Sequence, residues 1–402
     1  MRSIDELPVE GRRVLVRVDF NVPLETGEDG EPRVEDDTRI LASLETIEEL
    51  RAAGARLILV SHLGRPKGKV DPSLSLAPVA RELSRILGVE VPLAPDVAGT
   101  GAQRLAEGLD DGDVMLLENV RFEPGEEADD PHFAAALAAL ADFYVNDAFG
   151  TAHRAHASTA GVARLLPSAA GRLLEREVRT LTGLVENPAR PLVAIVGGAK
   201  VHDKIAVLER FLQAADTILI GGAMCFPFLA AQGHSVGDSL CSEDDTSHAA
   251  TLLARAESPG SAALELPEDL VVAACLEPGV QAHTTDGVDV PPGMTGLDIG
   301  PRTVARYTER IAAAGTIFWN GPMGAFEVPP FDAGTRAVAA AVADAPGLTV
   351  VGGGDSAAAL ARFGLQGRVD HLSTGGGATL KLVEGVELPG VAALEQSAVS
   401  AP

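Results

Sequence analysis

Three glycine-rich turns in the second half of the chain contain residues of the kind that bind phosphate. The first, Val196-Gly197-Gly198-Ala199-Lys200-Val201-His202-Asp203-Lys204, follows an apolar run and precedes an amphipathic segment, so it predicts a strand, a turn and a helix start. Two of the chain's five lysines, Lys200 and Lys204, lie four residues apart, which places both on one face of the first helical turn. Glycine lets the backbone approach an oxyanion, the helix start offers free N–H groups, and the ammonium groups add positive charge. A strand, two glycines and a helix also occur without any ligand, and the spacing matches neither a Walker A loop nor G-x-G-x-x-G.

The same arrangement recurs twice further along the chain. An apolar strand over residues 348–351 runs into Gly352-Gly353-Gly354-Asp355-Ser356 and an alanine-rich helix, and His371-Leu372-Ser373-Thr374 runs into Gly375-Gly376-Gly377-Ala378 and a helix near Thr379. Three such strand ends predict a nucleotide site, because ligands of open α/β sheets bind beyond the carboxyl ends of the strands. Asp355 is then the natural magnesium carboxylate, although an aspartate at this position equally well caps a helix.

The first half of the chain places cations or polar donors after nearly every apolar, strand-like run. Each cation alone is typical of a solvated surface, but several at the carboxyl edge of one parallel sheet predict a pocket for a small, multiply anionic ligand. Arginine suits bidentate contacts with carboxylate and phosphate. The segments are Asp19-Phe20-Asn21, Ser61-His62-Leu63-Gly64-Arg65, Glu118-Asn119-Val120-Arg121, Asn146-Asp147-Ala148-Phe149-Gly150 with His153-Arg154-Ala155-His156, and Arg39 after an Asp36-Asp37 cap.

Composition narrows the class of protein. The chain has 402 residues, 46% of them hydrophobic and 22% charged, which predicts a globular protein of two domains. No apolar run approaches the ~18 residues of a membrane span, and Met1 to Arg13 lacks the apolar region of a secretory signal, so we expect a cytoplasmic protein with no membrane partner. The net charge of −25 argues against nucleic-acid binding. Three widely spaced cysteines argue against a disulfide framework or a zinc site.

Strand and helix patterns alternate on both sides of one long amphipathic segment, Leu173 to Glu186. This alternation predicts an α/β protein of two doubly wound parallel-sheet (Rossmann-like) domains, joined by a connecting helix and a hinge. We expect an N-terminal domain over residues 1–172 and a C-terminal domain over residues 173–386. The tail, about 387–402, is expected to pack back on the first domain.

The chain closely resembles the phosphoglycerate kinase family from about Arg13 to Leu394. The matching stretches occur in the family's order and are Arg17-Val18-Asp19-Phe20-Asn21-Val22-Pro23-Leu24, Asp36-Asp37-Thr38-Arg39, Ser61-His62-Leu63-Gly64-Arg65-Pro66, Leu117-Glu118-Asn119-Val120-Arg121-Phe122, Asn146-Asp147-Ala148-Phe149-Gly150, Ala152-His153-Arg154-Ala155-His156, Gly197-Gly198-Ala199-Lys200, Leu297-Asp298-Ile299-Gly300-Pro301, Trp319-Asn320-Gly321-Pro322-Met323-Gly324, Gly352-Gly353-Gly354-Asp355 and Ser373-Thr374-Gly375-Gly376-Gly377.

The resemblance implies a monomeric enzyme of glycolysis and gluconeogenesis with two substrates on two domains. It implies reversible, Mg²⁺-dependent, in-line phosphoryl transfer between ATP and the carboxylate of 3-phosphoglycerate after hinge closure, giving ADP and 1,3-bisphosphoglycerate. By resemblance, the acceptor residues are Asp19, Asn21, Arg39, His62, Leu63, Gly64, Arg65, Arg121 and Arg154, and the catalytic residues are Arg39, Lys200 and Gly376. The nucleotide residues implied are Lys200, Lys204, Glu327, Gly353, Gly354, Asp355, Ser356, Gly375, Gly376 and Gly377, with Mg²⁺ on Asp355.

The chemistry fits the residue types, because a carboxylate acceptor is already ionised near neutral pH and needs no general base. The departures from the family pattern are His202, the Cys225-Phe226-Pro227 stretch and Lys381. None touches the predicted chemistry directly, but Pro227 is expected to affect the adenine side of the pocket and His202 the phosphate contacts near neutral pH. Two other classes remain to be tested. A nicotinamide-dependent oxidoreductase would show G-x-G-x-x-G after the first strand, which is absent here, and a non-catalytic anion-binding protein would need no second site.

Overall fold

The computed structural model describes the backbone of residues 1–400 and the side chains through Ser397. The chain folds as two compact units: Met1–Arg179 together with the segment that begins at Glu387, and Thr180–Val386. The sequence places the boundary at residue 173, whereas the units divide inside the long helix that follows it. Residues 401 and 402 of the predicted returning tail lie outside the described residues.

The first unit is built on a parallel sheet. Its strands lie in the order β5-β4-β1-β6-β7, and a separate antiparallel pair joins β2 to β3. The central strands are almost wholly apolar, as expected where helices cover both faces of a sheet. The strands are β1 (Arg13–Arg17), β2 (Leu24–Thr26), β3 (Pro32–Val34), β4 (Arg56–Val60), β5 (Val114–Leu116), β6 (Phe143–Asn146) and β7 (Ser168–Ala170).

Helices flank this sheet and complete its core. Valines and leucines of β1 and β4 share one buried apolar cluster with Val79 and Leu83 of the third helix. The helices are α1 (Thr38–Ala42), α2 (Leu44–Ala52), α3 (Ala77–Leu87), α4 (Thr100–Glu107), α5 (Pro131–Ala138) and α6 (Arg172–Glu186). The last of these confirms the predicted connecting helix to within one residue.

The second unit contains a six-stranded parallel sheet in the order β10-β9-β8-β14-β15-β16 and a small antiparallel sheet in the order β12-β11-β13. The small sheet has no counterpart in the sequence expectations. The strands are β8 (Leu192–Val196), β9 (Thr217–Ile220), β10 (Ala263–Glu265), β11 (Leu270–Ala273), β12 (His283–Thr284), β13 (Thr295–Ile299), β14 (Thr316–Asn320), β15 (Leu348–Val351) and β16 (His371–Leu372).

The helices of the second unit pack on the larger sheet, and the chain then returns to the first unit. Trp319 of β14 is fully buried in the core of the second unit. In the returning segment, the Gly390 N–H donates to the carbonyl of Ala152 (2.9 Å), and the Ser168 N–H donates to Ser397 Oγ (3.0 Å). The helices are α7 (Ile205–Ala214), α8 (Cys225–Ala231), α9 (Glu243–Ala256), α10 (Pro301–Ala312), α11 (Ala333–Ala343), α12 (Gly354–Arg362), α13 (Gly377–Val383) and α14 (Pro389–Ser400).

Both parallel sheets reverse their strand order at the first strand of the unit. In the first unit the chain moves from β1 outward to β4 and β5, then crosses to β6 and β7 on the other side. In the second unit it moves from β8 to β9 and β10, then crosses to β14, β15 and β16. The predicted fold class, with two doubly wound parallel sheets, is confirmed. Each reversal opens a crevice at the carboxyl edge of its sheet, which is where such folds bind ligands.

Within the described residues, no helix is long and apolar enough to cross a membrane.

Candidate active site

The carboxyl end of β1 brings a carboxylate and a guanidinium together. Arg39, on α1, donates from Nη1 to Oδ2 of Asp19, which follows β1, over 2.7 Å. The predicted cap works differently from the sequence expectation. The Asp37 side chain makes no capping bond, and instead Asp36 Oδ1 accepts from the backbone N–H of Thr38 (2.9 Å). This anchors the start of α1 one residue before Arg39.

The loops after β4 and β5 are locked to one another and to the loop after β1. The Gly64 N–H donates to Oδ1 of Asn21 (2.8 Å), and Arg121 Nη1 donates to the carbonyl of Gly64 (2.7 Å). Buried Asn119 holds Leu63 from both sides: its Nδ2 donates to the Leu63 carbonyl (2.7 Å), and its Oδ1 accepts from the Leu63 N–H (3.3 Å). The backbone at this edge is therefore fixed by side chains from neighbouring strand ends.

Two further predicted cations are more accessible. Arg65 is exposed and has no hydrogen bond or ion pair to any described residue. Arg154 is half-buried, and its Nε lies 3.3 Å from Nε2 of His153. Accessible guanidinium groups with uncommitted donors can form two parallel hydrogen bonds to a carboxylate or a phosphate.

Positive charge concentrates around one buried histidine. Burial, together with the nearby guanidinium groups of Arg17, Arg121, Arg39 and Arg154, holds the pKa of His62 well below its usual value. Burial and the charges of Arg154 and Arg17 also lower the pKa of Arg121 to about 10, against the opposing effect of Glu127 and Glu126. The edge thus combines a neutral imidazole with several guanidinium groups, which is an environment for a polyanion.

Sequence reasoning assigned no role to two residues of this edge. Arg17 lies inside the buried strand β1 and is fully buried, and Asn119 is equally buried behind Leu63. A signal for Arg17 was present, because it continues an apolar run that is typical of a buried parallel strand, where a charged side chain needs a partner. Asn119 gives no comparable signal, since its partners are backbone atoms of a distant loop.

In the second unit, a lysine bridges the ends of β8 and β14. Lys204 Nζ donates to the carbonyl of Gly197 after β8 (2.6 Å) and to the carbonyl of Asn320 at the end of β14 (3.0 Å). Burial lowers the pKa of Lys204 to about 8, although the charges of Asp355 and Asp203 act in the opposite direction. Lys204 therefore ties together the two strand ends between which the sheet reverses.

The predicted placement of the two lysines on one helical turn is wrong. Helix α7 begins only at Ile205; Lys200 lies in the preceding loop and is exposed, while Lys204 ends a short 3-10 turn. The physical reason is that hydrogen bonds to residues distant in sequence keep this loop from joining the helix. Lys204 is drawn to the strand ends, and the backbone N–H of His202 donates to Oδ1 of Asp245 (3.1 Å) near the start of α9.

The second glycine turn presents an exposed aspartate. Asp355 lies in the first turn of α12 and is exposed, as is Gly354 beside it, while Gly353 is half-buried. Ser356 is fully buried, and its Oγ accepts from the Gly321 N–H (2.6 Å), so it joins α12 to the loop after β14. Mg²⁺ prefers oxygen ligands and usually keeps several waters and substrate phosphates, so one carboxylate placed like that of Asp355 suits it. Among the described residues there is no cluster of three or more metal-ligating side chains.

The third glycine turn depends on one strained position. Gly376 has φ +52° and ψ −108° immediately before α13, a conformation that a side chain would make costly. The Gly375 N–H donates to Ser373 Oγ (3.2 Å), which lies 2.6 Å from the hydroxyl of Thr379, and Gly377 opens the helix. The backbone of this turn is thus shaped by hydroxyl groups on both sides.

The remaining residues of interest lie around the loops of the second unit. Glu327 is exposed, and its carbonyl accepts from Arg362 Nη2 (3.3 Å), which joins its loop to the last residue of α12. Pro227 lies in the first turn of α8, where its missing N–H costs little. The ring of Phe226 packs directly against Gly296, where any side chain would collide with it.

Two doubly wound units, one with an arginine-rich edge and one with glycine turns and lysines at its edge, define a phosphotransferase with an anionic acceptor. The model of the family "Phosphoglycerate kinase" matches residues 4–386. The phosphoglycerate kinase of Thermomicrobium roseum is 54% identical over 398 residues, covering 99% of this chain and 100% of that protein. That of Rubrobacter xylanophilus is 53% identical over 395 residues and covers 98% of both.

Solved structures agree with the sequence matches. The structure of phosphoglycerate kinase from Coxiella burnetii superimposes with a TM-score of 0.90 at 42% identity, covering 98% of each chain. That from Pyrococcus horikoshii does so with a TM-score of 0.84 at 32% identity over all of both chains. The chain belongs to the phosphoglycerate kinase family and is thus a phosphotransferase with a carboxyl group as acceptor. This membership excludes the oxidoreductase and the non-catalytic alternatives.

Proposed function

We propose that the chain binds 3-phosphoglycerate at the carboxyl edge of the first sheet and Mg-ATP or Mg-ADP at that of the second. The observation that carries this assignment is that the sheet reversal of each unit coincides with the residues suited to one of these substrates. Asp19 and Asn21 flank the reversal beside β1, and Lys204 bridges the reversal between β8 and β14. The proposed acceptor residues are Asp19, Asn21, Arg39, His62, Leu63, Gly64, Arg65, Arg121 and Arg154.

The acceptor edge can orient a small dianion without reorganising. Arg39 is held by Asp19, and Arg121 is held by the Gly64 carbonyl, so their remaining N–H groups are fixed in direction. Arg65 and Arg154 keep more freedom and close around the ligand. The acceptor carboxylate is ionised at neutral pH, so no side chain has to remove a proton and positioning supplies the catalysis.

For the nucleotide, we assign the phosphates to the exposed Lys200, to Lys204 and to the backbone of Gly375, Gly376 and Gly377, and the ribose to Glu327. Gly353, Gly354, Asp355 and Ser356 form the turn beside the phosphates, and Asp355 would hold the Mg²⁺ that enters with the nucleotide. That ion neutralises phosphate charge in the bound substrate. Arg39, Lys200 and Gly376 are assigned to the charge that develops on the transferred phosphoryl group.

The test is a coupled assay of the purified full chain with ATP, 3-phosphoglycerate and Mg²⁺, run in both directions. We expect turnover that depends on both substrates, is abolished by excess EDTA and returns with Mg²⁺ or Mn²⁺. Full activity in EDTA, or no turnover with metal present, would contradict the proposal.

We also propose that the chain acts as a monomer in the cytoplasm. A mass of 41.4 kDa from light scattering of the active protein is the outcome expected for a monomer.

A further inference from the structure

Behind the acceptor edge lies a buried charge that ligand binding does not explain. Arg17, the last residue of β1, is completely buried, so its guanidinium cannot serve as a solvated surface cation. Burying an unpaired charge in a protein core is strongly unfavourable, and such groups persist only when they are paired and hydrogen-bonded. The hydrogen-bond partners of Arg17 therefore indicate its structural role.

On one side, the charge of the Arg17 guanidinium is neutralised by a carboxylate that it reaches through a hydroxyl group. Arg17 Nε donates to Ser158 Oγ (2.9 Å), which in turn donates to Oε1 of the fully buried Glu126 (2.6 Å). The backbone N–H of Ser158 donates to the other carboxylate oxygen of Glu126 (2.9 Å). Although burial opposes ionisation, the nearby imidazole of His156, whose Nδ1 lies 3.7 Å from Oε1, the charge of Arg17 and the bonds from Ser158 hold the pKa of Glu126 below its usual value. Glu126 is thus the counter-ion of Arg17.

The other side of the guanidinium faces the acceptor edge. Arg17 Nη2 lies 3.2 Å from Nδ1 of His62, and Nη1 donates to the carbonyl of Val18. Arginine carries only donors, so in this contact Nδ1 of His62 must be the acceptor and must lack a proton. The proton of the neutral ring then resides on Nε2.

The groups around His62 agree with this tautomer. Asp19 Oδ1 is 3.8 Å from Nδ1, too far for a hydrogen bond, and the other oxygen of Asp19 is engaged by Arg39. The remaining charged neighbours are the guanidinium groups of Arg121 and Arg154, which, like those of Arg17 and Arg39, disfavour a second proton on the ring. Among the residues that the structure describes, no acceptor within bonding distance competes for a proton on Nδ1.

We propose that Arg17, held by Ser158 and Glu126, is a positioning residue that fixes His62 as the neutral Nε2–H tautomer. In this state His62 presents a permanent hydrogen-bond donor to an anionic ligand. This inference rests on the proposed function only for the identity of that ligand, 3-phosphoglycerate. If Arg17 served merely to fill the core, an apolar chain of similar length would replace it without any effect on the ring.

The tautomer can be read directly by nitrogen NMR of the full chain labelled with ¹⁵N-histidine. The signals of His62 are assigned by comparison with His62→Gln. For the parent protein at pH 7, we expect a protonated Nε2 and an unprotonated Nδ1. A ring protonated on Nδ1, or on both nitrogens, would overturn the proposal.

Two variants separate positioning from packing. Arg17→Met keeps a long unbranched side chain without the guanidinium, and Ser158→Ala keeps Arg17 but removes the hydroxyl that orients it. In both we expect the Nδ1–H or doubly protonated form of His62 to become populated between pH 6 and 7. We also expect the KM for 3-phosphoglycerate to rise about tenfold or more, as when a hydrogen bond to a charged group is lost, while kcat changes less.

Arg164→Met is the matched control, because Arg164 is in the same unit but is paired with Asp129 at the surface; the His62 signals should not change. If Arg17→Met does not fold, the parent spectrum and Ser158→Ala decide the question. Unchanged tautomers in the variants, or changed tautomers with an unchanged KM, would overturn the positioning role. If the tautomer is as expected but the protein does not act on 3-phosphoglycerate, the proposed function fails and the tautomer assignment remains.

Discussion

The arginines of the acceptor edge share a charge but differ in how they are restrained. Arg17 is buried and balanced by Glu126, Arg121 is anchored to a backbone carbonyl, and Arg39 is paired with Asp19. Arg65 alone is exposed without a partner among the described residues. A restrained guanidinium loses little entropy when a ligand binds, whereas a free one follows the ligand. These residues should therefore contribute to different steps of the reaction.

The first prediction separates chemistry from binding. We expect Arg39→Ala and Lys200→Ala each to lower kcat by roughly 10²-fold or more, because each removes a donor assigned to the transferring phosphoryl group. Arg65→Ala should mainly raise the KM for 3-phosphoglycerate. Steady-state kinetics with both substrates varied provide the measurement.

The matched controls are Arg255→Ala and Lys381→Ala, which remove cations paired at the surface with Glu209 and Glu384. Both should retain the kcat of the parent. A kcat within a few-fold of the parent for Arg39→Ala would show that Arg39 has been assigned the wrong role.

At the scale of elements, the start of α6 depends on a buried carboxyl group. Asp147 Oδ1, just after β6, accepts from the backbone N–H groups of Leu173 (2.9 Å) and Leu174 (3.3 Å). Its Oδ2 is buried and has no hydrogen-bond partner among the described residues, although the hydroxyl groups of Thr46 and Ser43 lie beside it. Burial raises the pKa of Asp147 to about 7, against the nearby hydroxyl groups of Thr46 and Ser43 and the hydrogen bonds from Leu174 and Leu173.

This pKa predicts how stability depends on pH. The folded state binds the Asp147 proton more tightly than the unfolded state, in which the pKa is near 4, so this group stabilises the fold most at low pH. Its contribution is present below about pH 4 and is lost as the pH rises toward about 7. Asp147→Asn, which cannot ionise, should therefore gain free energy of unfolding relative to the parent across this window, by a few kcal/mol in order of magnitude.

The measurement is urea unfolding of parent and variant side by side at several pH values from 4.5 to about 8. The difference between the two proteins cancels every other titrating group. A difference that stays constant across the window would mean that Asp147 is ionised in the folded protein throughout.

A second prediction at this scale concerns two glycines with open space around them. Gly183 is exposed within α6, and Gly88 ends α3 with φ +67°; a methyl group added at either meets no atom within 4 Å. Gly183→Ala should raise the free energy of unfolding by about 0.5–1 kcal/mol, because alanine loses less backbone entropy in a helix. Gly88→Ala should lower it by about 1 kcal/mol, because alanine is strained in the left-handed region. Urea titrations followed by circular dichroism compare them, and equal shifts of the same sign would contradict the backbone argument.

The sequence predicted elements where the pattern is local. The strand over residues 348–351 and the helix α6 match closely, because their apolar periodicity is set by burial within the element itself. It failed where distant atoms decide the backbone. Helix α7 starts at Ile205 because Lys204 bonds to two strand-end carbonyls and His202 bonds to Asp245, and no local pattern encodes those partners. The partners of the buried Arg17 were likewise not predictable, since Ser158 and Glu126 are more than a hundred residues away in sequence.

At the scale of the whole molecule, charge is unevenly distributed. The chain carries a net charge of −25, yet the acceptor edge gathers the guanidinium groups of Arg17, Arg39, Arg121 and Arg154 around His62. An acidic surface keeps the protein soluble and repels anions from most of it, so a local cationic edge directs an anionic substrate to one place. Salt screens such attraction beyond about 10 Å at 0.1 M ionic strength. We therefore expect the cationic edge to act mainly on the rate at which the substrate associates.

The division of the site residues between two units sets a requirement on motion. The proposed acceptor residues all belong to Met1–Arg179, and the proposed nucleotide residues all belong to Thr180–Val386. In-line transfer requires reacting atoms about 3–3.5 Å apart with water excluded, whereas substrates must be able to enter and leave. One rigid arrangement cannot satisfy both conditions, so we expect hinge closure around the connecting helix α6 when both substrates are bound.

Small-angle X-ray scattering of the full chain measures this closure. We expect the radius of gyration to fall when 3-phosphoglycerate and Mg-ADP bind together, and to fall less with either ligand alone, because only the pair gives each unit a partner across the transfer distance. The nucleotide with EDTA in place of Mg²⁺ provides the control, and a smaller change is expected there. Superimposable scattering curves for the free and the doubly liganded protein, at concentrations shown by calorimetry to saturate both sites, would rule out closure and would require both substrates to enter an arrangement that is already competent for transfer.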